Sequence, residues 1–365
     1  MRCDYCYSPP LRRIDMTEEV TRKAVEYAAQ LYPVNAGIIF FGGEPLLRKD
    51  LIKSTISYCK QMESQMECRF HYKVTTNGLL LDNEFLEYSN SVGLLVALSV
   101  DGIEQANDLH RKKISGEGTF EILNSRIDLL LSWQPYANAL IVISPETVQY
   151  YTPSVEYLLE KGFKYIVASL NYAGNWTDKH IRELKRQYRK LVELYERLIL
   201  RQKKFYFSPF EMKLASHIKG KDLLCQRCVL GKRQVSVAPD GTIYPCVQFV
   251  QDGVSNKEYS IGDVWNGIDE VKRDQLYQLS LEREESCLEC AIKTRCNNNC
   301  SCLNWQTTGV INKISPVLCE TERIIIPIVD RMGERLFRRR APMFIQKHYN
   351  AVYPILSLLD DNESD

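Results

Sequence analysis

Short apolar runs and amphipathic stretches alternate along the first 200 residues of the chain. The apolar, β-branched runs are candidate strands, at Gly37–Phe41, Phe70–Thr75, Leu94–Val100, Ala137–Ile143 and Lys164–Leu170. Helical periodicity lies between them, at about 17–31, 49–66, 83–92, 119–133, 153–161 and 178–202. This alternation predicts βαβ units, and therefore an α/β fold with a parallel sheet.

The first three candidate strands each end in a short polar segment that contains glycine. These segments are Gly42-Gly43-Glu44-Pro45, Thr75-Thr76-Asn77-Gly78 and Ser99-Val100-Asp101-Gly102. Any one of them is compatible with an ordinary turn, because glycine, asparagine and aspartate are turn residues. Together they predict a binding rim, since the carboxyl ends of parallel strands lie at one edge of a sheet.

Beyond Gln202 the apolar periodicity weakens and paired cysteines appear. This change predicts a domain boundary near residue 205. We expect a sheet domain over 1–205, a cysteine-rich domain over 206–320, and a C-terminal helix and acidic tail over 321–365.

Composition narrows the class of protein. The net charge is +1 over 365 residues, which gives no strong positive field for nucleic acid. No apolar stretch is long enough for a bilayer, and no signal-peptide pattern opens the sequence. We therefore expect a cytoplasmic protein that binds neither nucleic acid nor membrane.

Thirteen cysteines dominate the candidate chemistry. An odd number without a secretion signal argues against a disulfide framework. One group has the spacing Cys225-x2-Cys228, with Cys246 following Gly241. A second group has Cys287-x2-Cys290-x5-Cys296-x3-Cys300, followed by Cys319. Spacing alone leaves structural zinc and iron–sulfur clusters open. Cys59 and Cys68 have apolar neighbours and are expected to be buried.

A further pair, Cys3 and Cys6, precedes the first helix. The order Cys3-Asp4-Tyr5-Cys6, Gly42-Gly43-Glu44-Pro45, Thr76-Asn77-Gly78 and Ser99-Val100-Asp101-Gly102 resembles the radical S-adenosylmethionine (SAM) superfamily. The later cysteines are similar to its SPASM extension. The resemblance implies a partial (β/α)6 TIM-like barrel lacking its first strand, a small SPASM iron–sulfur domain and a C-terminal helix.

The resemblance also implies how SAM is held. Cys3 and Cys6 match two of the three ligands of the SAM-binding [4Fe–4S] cluster, and Tyr5 matches an aromatic residue near the adenine. The remaining expected cofactor contacts are Gly42, Gly43, Glu44, Pro45, Asn77, Ser99, Asp101 and Arg111. Glu44 is expected to accept a bond from the SAM ammonium, Ser99 and Asp101 to contact the ribose, and Arg111 to pair with a carboxylate. A surface ion pair between Arg111 and Asp108 is the alternative, and Asn77 could instead serve only to cap a turn.

Two auxiliary [4Fe–4S] clusters follow from the same resemblance. The first would be held by Cys225, Cys228, Cys246 and Cys300, and the second by Cys287, Cys290, Cys296 and Cys319. Cys302 is extra and is expected to pack or remain free. The family motif has another cysteine four positions before Cys3, ahead of Met1. We therefore expect a mis-assigned start or a fragment, and weak retention of the SAM-binding cluster in the sequence as it stands.

The predicted activity is reductive cleavage of SAM to a 5′-deoxyadenosyl radical that modifies a ribosomally made peptide. The segment Cys296–Trp305 resembles maturases of cysteine-rich peptides, so thioether cross-linking at cysteine is expected. The expected partners are a cysteine-rich precursor peptide and an electron donor of the flavodoxin or ferredoxin type. Anaerobic sulfatase maturation is the alternative, but Val247 lies at the position where those enzymes carry an aspartate that acts as a general base. A zinc or iron–sulfur protein without catalysis is the alternative of another class.

Overall fold

The computed structural model describes residues 1–6, 14–220, 228–250, 257–282, 284–297, 300–350 and 352–353. The strands in these ranges are β1 Arg2–Cys3, β2 Asn35–Phe40, β3 Arg69–Thr76, β4 Leu94–Ser99, β5 Arg111–Lys112, β6 Asn138–Ile143, β7 Tyr165–Leu170, β8 Tyr206–Phe207, β9 Ser236–Val237, β10 Thr242–Tyr244, β11 Gly262–Asp263 and β12 Gly267–Ile268.

The helices of the described ranges connect and cover these strands. They are α1 Glu18–Leu31, α2 Lys49–Glu63, α3 Asn83–Val92, α4 Glu104–His110, α5 Phe120–Trp133, α6 Tyr151–Glu160, α7 Asp178–Leu200, α8 Ser208–Lys219, α9 Glu270–Leu281, α10 Glu285–Leu288, α11 Ser301–Thr308, α12 Pro316–Arg338 and α13 Pro342–Tyr349. None of them is long and apolar enough to cross a lipid bilayer.

A six-stranded sheet in the order β2-β3-β4-β6-β7-β8 forms the centre of the molecule. Every neighbouring pair in it is parallel. The prediction of an α/β fold with a parallel sheet is therefore confirmed. All five candidate strands and all six candidate helices are present, with ends displaced by a few residues at most.

Local sequence signals explain where the crossover helices begin and end. The Thr17 hydroxyl accepts the Val20 amide at the start of α1, and the Asp82 carboxylate accepts the Phe85 amide at the start of α3. Helix α3 ends at Gly93, whose φ of 72° is the left-handed conformation that glycine adopts at low cost. These caps satisfy backbone groups that a helix leaves unpaired at its ends.

The two faces of the central sheet differ. One face packs against the helices and contributes strand residues such as Val74, Val96 and Ile141 to the main core. The other face is open, with Ile39 and Leu95 exposed to 59% and 61%. Lys73 lies between these two in the strand register, and burial lowers the pKa of its amine. The strand ends therefore border an accessible face.

The sheet continues past the boundary predicted near residue 205. Strand β8 pairs with β7, and α8, which follows it directly, packs against the same edge of the sheet. Helix α12 then packs along both α7 and α8. Val329 and Met332 of α12 and Phe344 of α13 are part of the main core. The C-terminal helices thus share a core with the sheet.

The region from 228 to 311 has its own small cores. Strands β9 to β12 form an antiparallel sheet in the order β12-β11-β10-β9. One small core surrounds Tyr244, Phe249 and Tyr259, and another surrounds Ile243 and Ile261. Because these strands are only two or three residues long, backbone pairing contributes little to the order of this region.

Candidate cofactor-binding rim and cysteine groups

Glu44 links the ends of two neighbouring strands at the rim of the sheet. Its carboxylate accepts hydrogen bonds from Thr76 Oγ1 at 2.7 Å, the Asn77 amide at 2.8 Å and the Leu46 amide at 3.0 Å. A carboxylate has about four acceptor positions, so about one remains for a ligand. Hydrogen bonds from the chain itself therefore fix the position of the Glu44 carboxylate.

Gly42 and Gly43 form an exposed backbone edge beside Glu44. A Cβ atom built at Gly43 would meet no heavy atom within 4 Å, and its φ does not lie in the left-handed region. Gly102 is different, because its φ is +99° and a Cβ there would lie 2.1 Å from Ser154 Cβ. Packing requires glycine at 102 but not at 43. An open backbone at 43 fits the close approach of a ligand.

Asp101 is the centre of a buried polar group beyond the end of β4. It is 1% exposed and Arg111 is 5% exposed. Asp101 Oδ2 lies 3.0 Å from Arg111 Nε and accepts the Tyr5 hydroxyl at 2.5 Å, while Oδ1 accepts the Val142 amide at 3.0 Å. Burial acts to lower the pKa of Arg111, but the negative charge of Asp101 raises it above its ordinary value. Arg111 therefore remains charged.

The N-terminal cysteines are attached to this group through β1. Cys3 pairs with Arg111 in the β1–β5 register, and Arg111 Nη1 lies 3.9 Å from Cys3 Sγ. Cys6 is exposed, and its amide donates to the Cys3 carbonyl at 3.1 Å. Burial raises the pKa of Cys3, and Arg111 opposes that shift. The structure thus brings together Cys3, Tyr5, Asp101 and Arg111.

Asp108 does not pair with Arg111. Its Oδ1 accepts the amides of Thr119 and Phe120, both at 2.8 Å, at the start of α5. A Cβ at Gly118 would lie 2.0 Å from Asp108 Oδ2, so this cap needs a glycine beside it. The alternative of a surface ion pair is wrong, because Arg111 is buried against Asp101 and Asp108 is a helix cap.

Asn77 and Ser99, two other residues predicted to contact SAM, lie where β3 and β4 end. Asn77 Oδ1 accepts the Leu79 amide at 3.0 Å, which is the turn-capping bond that the sequence suggested. Ser99 is half-buried at the end of β4, opposite Leu140 of β6. Direct contact of either residue with SAM stays a prediction.

Two cysteines of the first group, Cys246 and Cys300, lie in one of the small cores. Cys246 and Cys302 are buried there, and Cys300 Sγ lies 3.6 Å from Cys302 Sγ. A hydrogen bond from Cys302 lowers the pKa of Cys300 to about 7. Burial raises the pKa of Cys228 to about 11, with Cys300 and Cys246 as charged neighbours. Cys225 lies outside the described residues.

Cys302 is the cysteine that sequence reasoning left without a role. It packs in the core, as expected for a free cysteine, but it also contacts Cys300. The C-x-C spacing at the start of α11 was the only signal for this contact. Cys59 and Cys68 are completely buried in the main core, which confirms their prediction.

The second cysteine group lies around the start of α12. The Cys290 amide donates to the Cys287 carbonyl at 3.3 Å. Cys319 and Cys290 lie near enough to the Arg323 guanidinium to raise its pKa. Cys296 is buried and, together with Cys300, is a charged neighbour of Tyr172.

Sequence reasoning missed the polar contacts that hold the second group against the sheet domain. Arg295 forms a two-pronged pair with Asp330, both N···O distances being 2.6 Å, and its Nη2 donates to the Lys213 carbonyl. Lys213 Nζ lies 2.6 Å from Glu322 Oε2, and both side chains are buried. The partners are more than 30 residues apart in sequence, so no local pattern connects them.

The two cysteine groups contain thiolate donors of the kind that iron–sulfur clusters use. In the described part of the chain, no three His, Cys, Asp or Glu side chains converge as they would around one metal ion. The thiolates of an iron–sulfur cluster bind separate iron atoms, so their sulfur atoms need not meet at one point. The described cysteines of the two groups are therefore compatible with iron–sulfur clusters.

A sequence model described as the Radical SAM superfamily matches residues 1–188, more than half of the chain. The chain belongs to the radical SAM superfamily. The matched part contains the rim, the Asp101 group and the N-terminal cysteines. The family is one of enzymes, and the prediction of a radical SAM enzyme is confirmed.

This radical SAM chain is also similar, along most of its length, to individual known proteins. A cysteine-type anaerobic sulfatase-maturating enzyme of Clostridium perfringens is 23% identical over 319 residues, covering 82% of this chain and 85% of the relative. The solved structure of histidine-tagged anSMEcpe with bound AdoMet matches with a TM-score of 0.78 and 19% identity, covering 99% of this chain and 94% of that one. Streptococcus suis SuiB bound to precursor peptide SuiA matches with a TM-score of 0.58 and 15% identity, covering 87% and 72%.

Proposed function

We propose that this enzyme binds SAM against the rim at the ends of β2, β3 and β4 and modifies a peptide on the open face of the sheet. The observation that carries the proposal is the attachment of Cys3 to the buried Asp101–Arg111 pair, at the same edge of the sheet as the open backbone at Gly43. The six parallel strands would then be the partial barrel that the family resemblance implies.

The rim has suitable groups for each part of SAM. Gly42 and Gly43 would allow the ligand to approach the backbone, and Glu44 would use its remaining acceptor position for the ammonium. Tyr5 would lie near the adenine, with Ser99 near the ribose. Arg111 offers guanidinium donors for a carboxylate, although its Nε faces Asp101. Pro45 and Asn77 would shape the turn beneath the ligand.

Asp101 would act mainly by positioning. Its contacts with Tyr5, Arg111 and the Val142 amide orient Tyr5 and Arg111 and attach the segment that carries Cys3 and Cys6. A carboxylate that is 1% exposed reaches the ribose only if these contacts rearrange. We therefore infer that its main effect on SAM is through Tyr5 and Arg111.

Two auxiliary [4Fe–4S] clusters would lie beyond the sheet. Cys225, Cys228, Cys246 and Cys300 would hold the first, and Cys287, Cys290, Cys296 and Cys319 the second. The shared small core of Cys246 and Cys300, and the effect of both Cys319 and Cys290 on the pKa of Arg323, support these sets. Residues from 206 to 320 would provide the SPASM domain, and residues 321–365 the C-terminal helix and tail.

When bound, the SAM-binding cluster would supply the electron for cleavage of SAM to methionine and a 5′-deoxyadenosyl radical. The chain's own residues would bind and orient SAM and keep water from the reacting centre. Arg111 would counter the negative charge of the Cys3 thiolate. An electron donor of the flavodoxin or ferredoxin type would deliver the electron.

We infer that the substrate is a ribosomally made peptide and that the product is a thioether cross-link at cysteine. SuiB, whose structure was solved with a precursor peptide, supports the peptide, and the cysteine-rich segment around Cys300 supports the cross-link. The similarity to sulfatase-maturating enzymes favours formylglycine formation as the second candidate. Val247 follows Cys246 directly and has no group that removes a proton.

The test is anaerobic reaction of the iron-reconstituted enzyme with SAM, a reductant and cysteine-containing peptides. The form used carries an added cysteine four positions before Cys3, and the unextended chain is its control. We expect 5′-deoxyadenosine and a peptide that loses hydrogen but keeps its sulfur. Loss of the peptide's sulfur would favour formylglycine formation. Absence of 5′-deoxyadenosine in the extended form would contradict the proposal.

A further inference from the structure

A groove runs along the outside of the molecule between α7 and α12. It has a volume of about 460 Å³ and is lined by residues 185–196 of α7 and 323–335 of α12. Its apolar floor includes Ile324, Pro327 and Ile328. The residues that line it contribute nothing to the rim or to the sheet's open face, so the proposed chemistry gives this groove no role.

The two sides of the groove carry an excess of positive charge. Five cations, Lys185, Arg189, Arg323, Arg331 and Arg335, lie along it with two carboxylates, Glu193 and Glu196. Arg335 pairs with Glu196 at 2.9 Å, so four cations remain against one carboxylate. Lys185 and Arg189 are exposed and form no ion pair with any residue in the described ranges. The groove is therefore electrostatically complementary to an acidic ligand.

The centre of the groove is interrupted by a proline within α12. Pro327 has no amide hydrogen, so the carbonyl of Arg323 loses its usual helical donor. Arg331 Nε donates to the Pro327 carbonyl at 3.0 Å, which holds its guanidinium beside the floor. These features suit a polypeptide segment with both apolar and acidic side chains. The apolar floor would contact its apolar side chains, the cations would pair with its carboxylates, and the Arg323 carbonyl could accept a backbone amide.

One end of the groove reaches the second cysteine group. Arg323 lines the groove and lies one helical turn after Cys319 in α12. A segment bound there would therefore pass beside the proposed second auxiliary cluster. This continuity favours a polypeptide that also enters the reaction site over an unrelated partner.

We propose that the α7–α12 groove binds an acidic segment of the peptide substrate, at a distance from the residue that is modified. The proposal rests on the proposed peptide substrate. Apolar side chains of that segment pack on Ile324 and Ile328. Its carboxylates pair with Lys185, Arg189 and Arg331.

The test is fluorescence anisotropy with the full chain and a labelled twelve-residue peptide containing leucine and glutamate. A second peptide has lysine in place of each glutamate. We expect the glutamate peptide to bind and the lysine peptide not to bind. Affinity should fall as salt increases, because the charges are exposed. The double variant R189E/R331E should weaken binding about tenfold or more.

The matched control is K190E/R339E, which reverses two exposed cations, one on α7 and one directly after α12, that do not line the groove. It should bind the glutamate peptide as the parent does. Equal weakening by both double variants, or binding of the lysine peptide, would overturn the proposal. So would a stronger affinity after removal of residues 354–365, because the acidic tail of the same chain would then be the occupant. The assay needs neither cluster nor SAM, so its outcome is independent of catalysis.

Discussion

The rim of the sheet and the cysteine-rich region are organised by different interactions. At the rim, Asp101 and Glu44 each make three polar contacts, and two of the three in each case come from residues more than 30 positions away. In the described cysteine-rich residues the strands are short, and Cys300 contacts Cys302 at 3.6 Å. The rim is thus preorganised by protein contacts, whereas we expect the order of the other region to depend on what its thiolates bind.

The largest expected effect is on iron content and concerns the cysteine-rich region alone. Cys246→Ala should lose about four iron atoms per chain after reconstitution, because one cluster loses a ligand. Cys59→Ala, which removes a buried core thiol, is the control and should keep the parent's iron content. Iron and sulfide analysis measures this, and equal iron in both variants would remove Cys246 from the ligand set.

The second effect tests the rim without any cofactor. Asp101→Ala leaves Arg111 buried and unpaired, and should reduce the free energy of unfolding by about 3–5 kcal/mol. The double variant D101L/R111M removes both charges and should recover much of that loss. Urea unfolding of the iron-free chain measures it. A loss below about 1 kcal/mol would show that the pair does not stabilise the rim.

The third effect concerns the contact between the cysteine-rich region and helix α12. Asp330→Ala removes both hydrogen bonds to Arg295 and should cost about 1.5–3 kcal/mol. The control is Glu334→Gln, whose partner Arg338 is largely exposed, and it should cost less than about 1 kcal/mol. If thermal unfolding shifts equally in the two variants, the Arg295–Asp330 pair is no stronger than a surface contact.

The last and most gradual effect is a pH dependence of stability on the sheet side of the molecule. Burial lowers the pKa of His348 in the folded chain to about 4, from an ordinary value of about 6.5. Between these two pH values, the unfolded chain therefore binds the proton more readily than the folded chain does. Stability should therefore fall as pH decreases from about 6.5 towards 4, by at most about 1.4 kcal/mol per pH unit. His348→Gln should flatten this slope, whereas the exposed His71→Gln should not. An unchanged slope in H348Q would contradict the burial effect.

Local patterns predicted the sheet domain well because each strand and helix there has its own periodicity and caps. Strand β8 was missed because two residues carry no alternation, and α4 because its seven residues lie between two turn signals. The rim motifs were recognised, but the Asp101–Arg111 pair was not. It joins a strand end to a segment ten residues later, whose short pairing with β1 no periodicity reveals.

The cysteine groups were predicted in sequence but only partly in space. Spacing and family resemblance named the sets, while the contact of Cys302 with Cys300 depends on how α11 begins. The ties of Arg295 to Asp330 and of Lys213 to Glu322 join residues far apart in sequence. Such contacts follow from tertiary packing, which a single sequence does not display.

The most direct test of the central claim is electron paramagnetic resonance of the reduced, reconstituted enzyme with and without SAM. The parent form carries a cysteine four positions before Cys3, and Gly43→Val is the matched variant. A side chain at 43 meets no protein atom within 4 Å at its Cβ, so the variant should fold while blocking the rim. We predict that SAM changes the cluster signal in the parent and not in G43V. The same SAM-induced change in both forms, or none in the parent, would contradict the account.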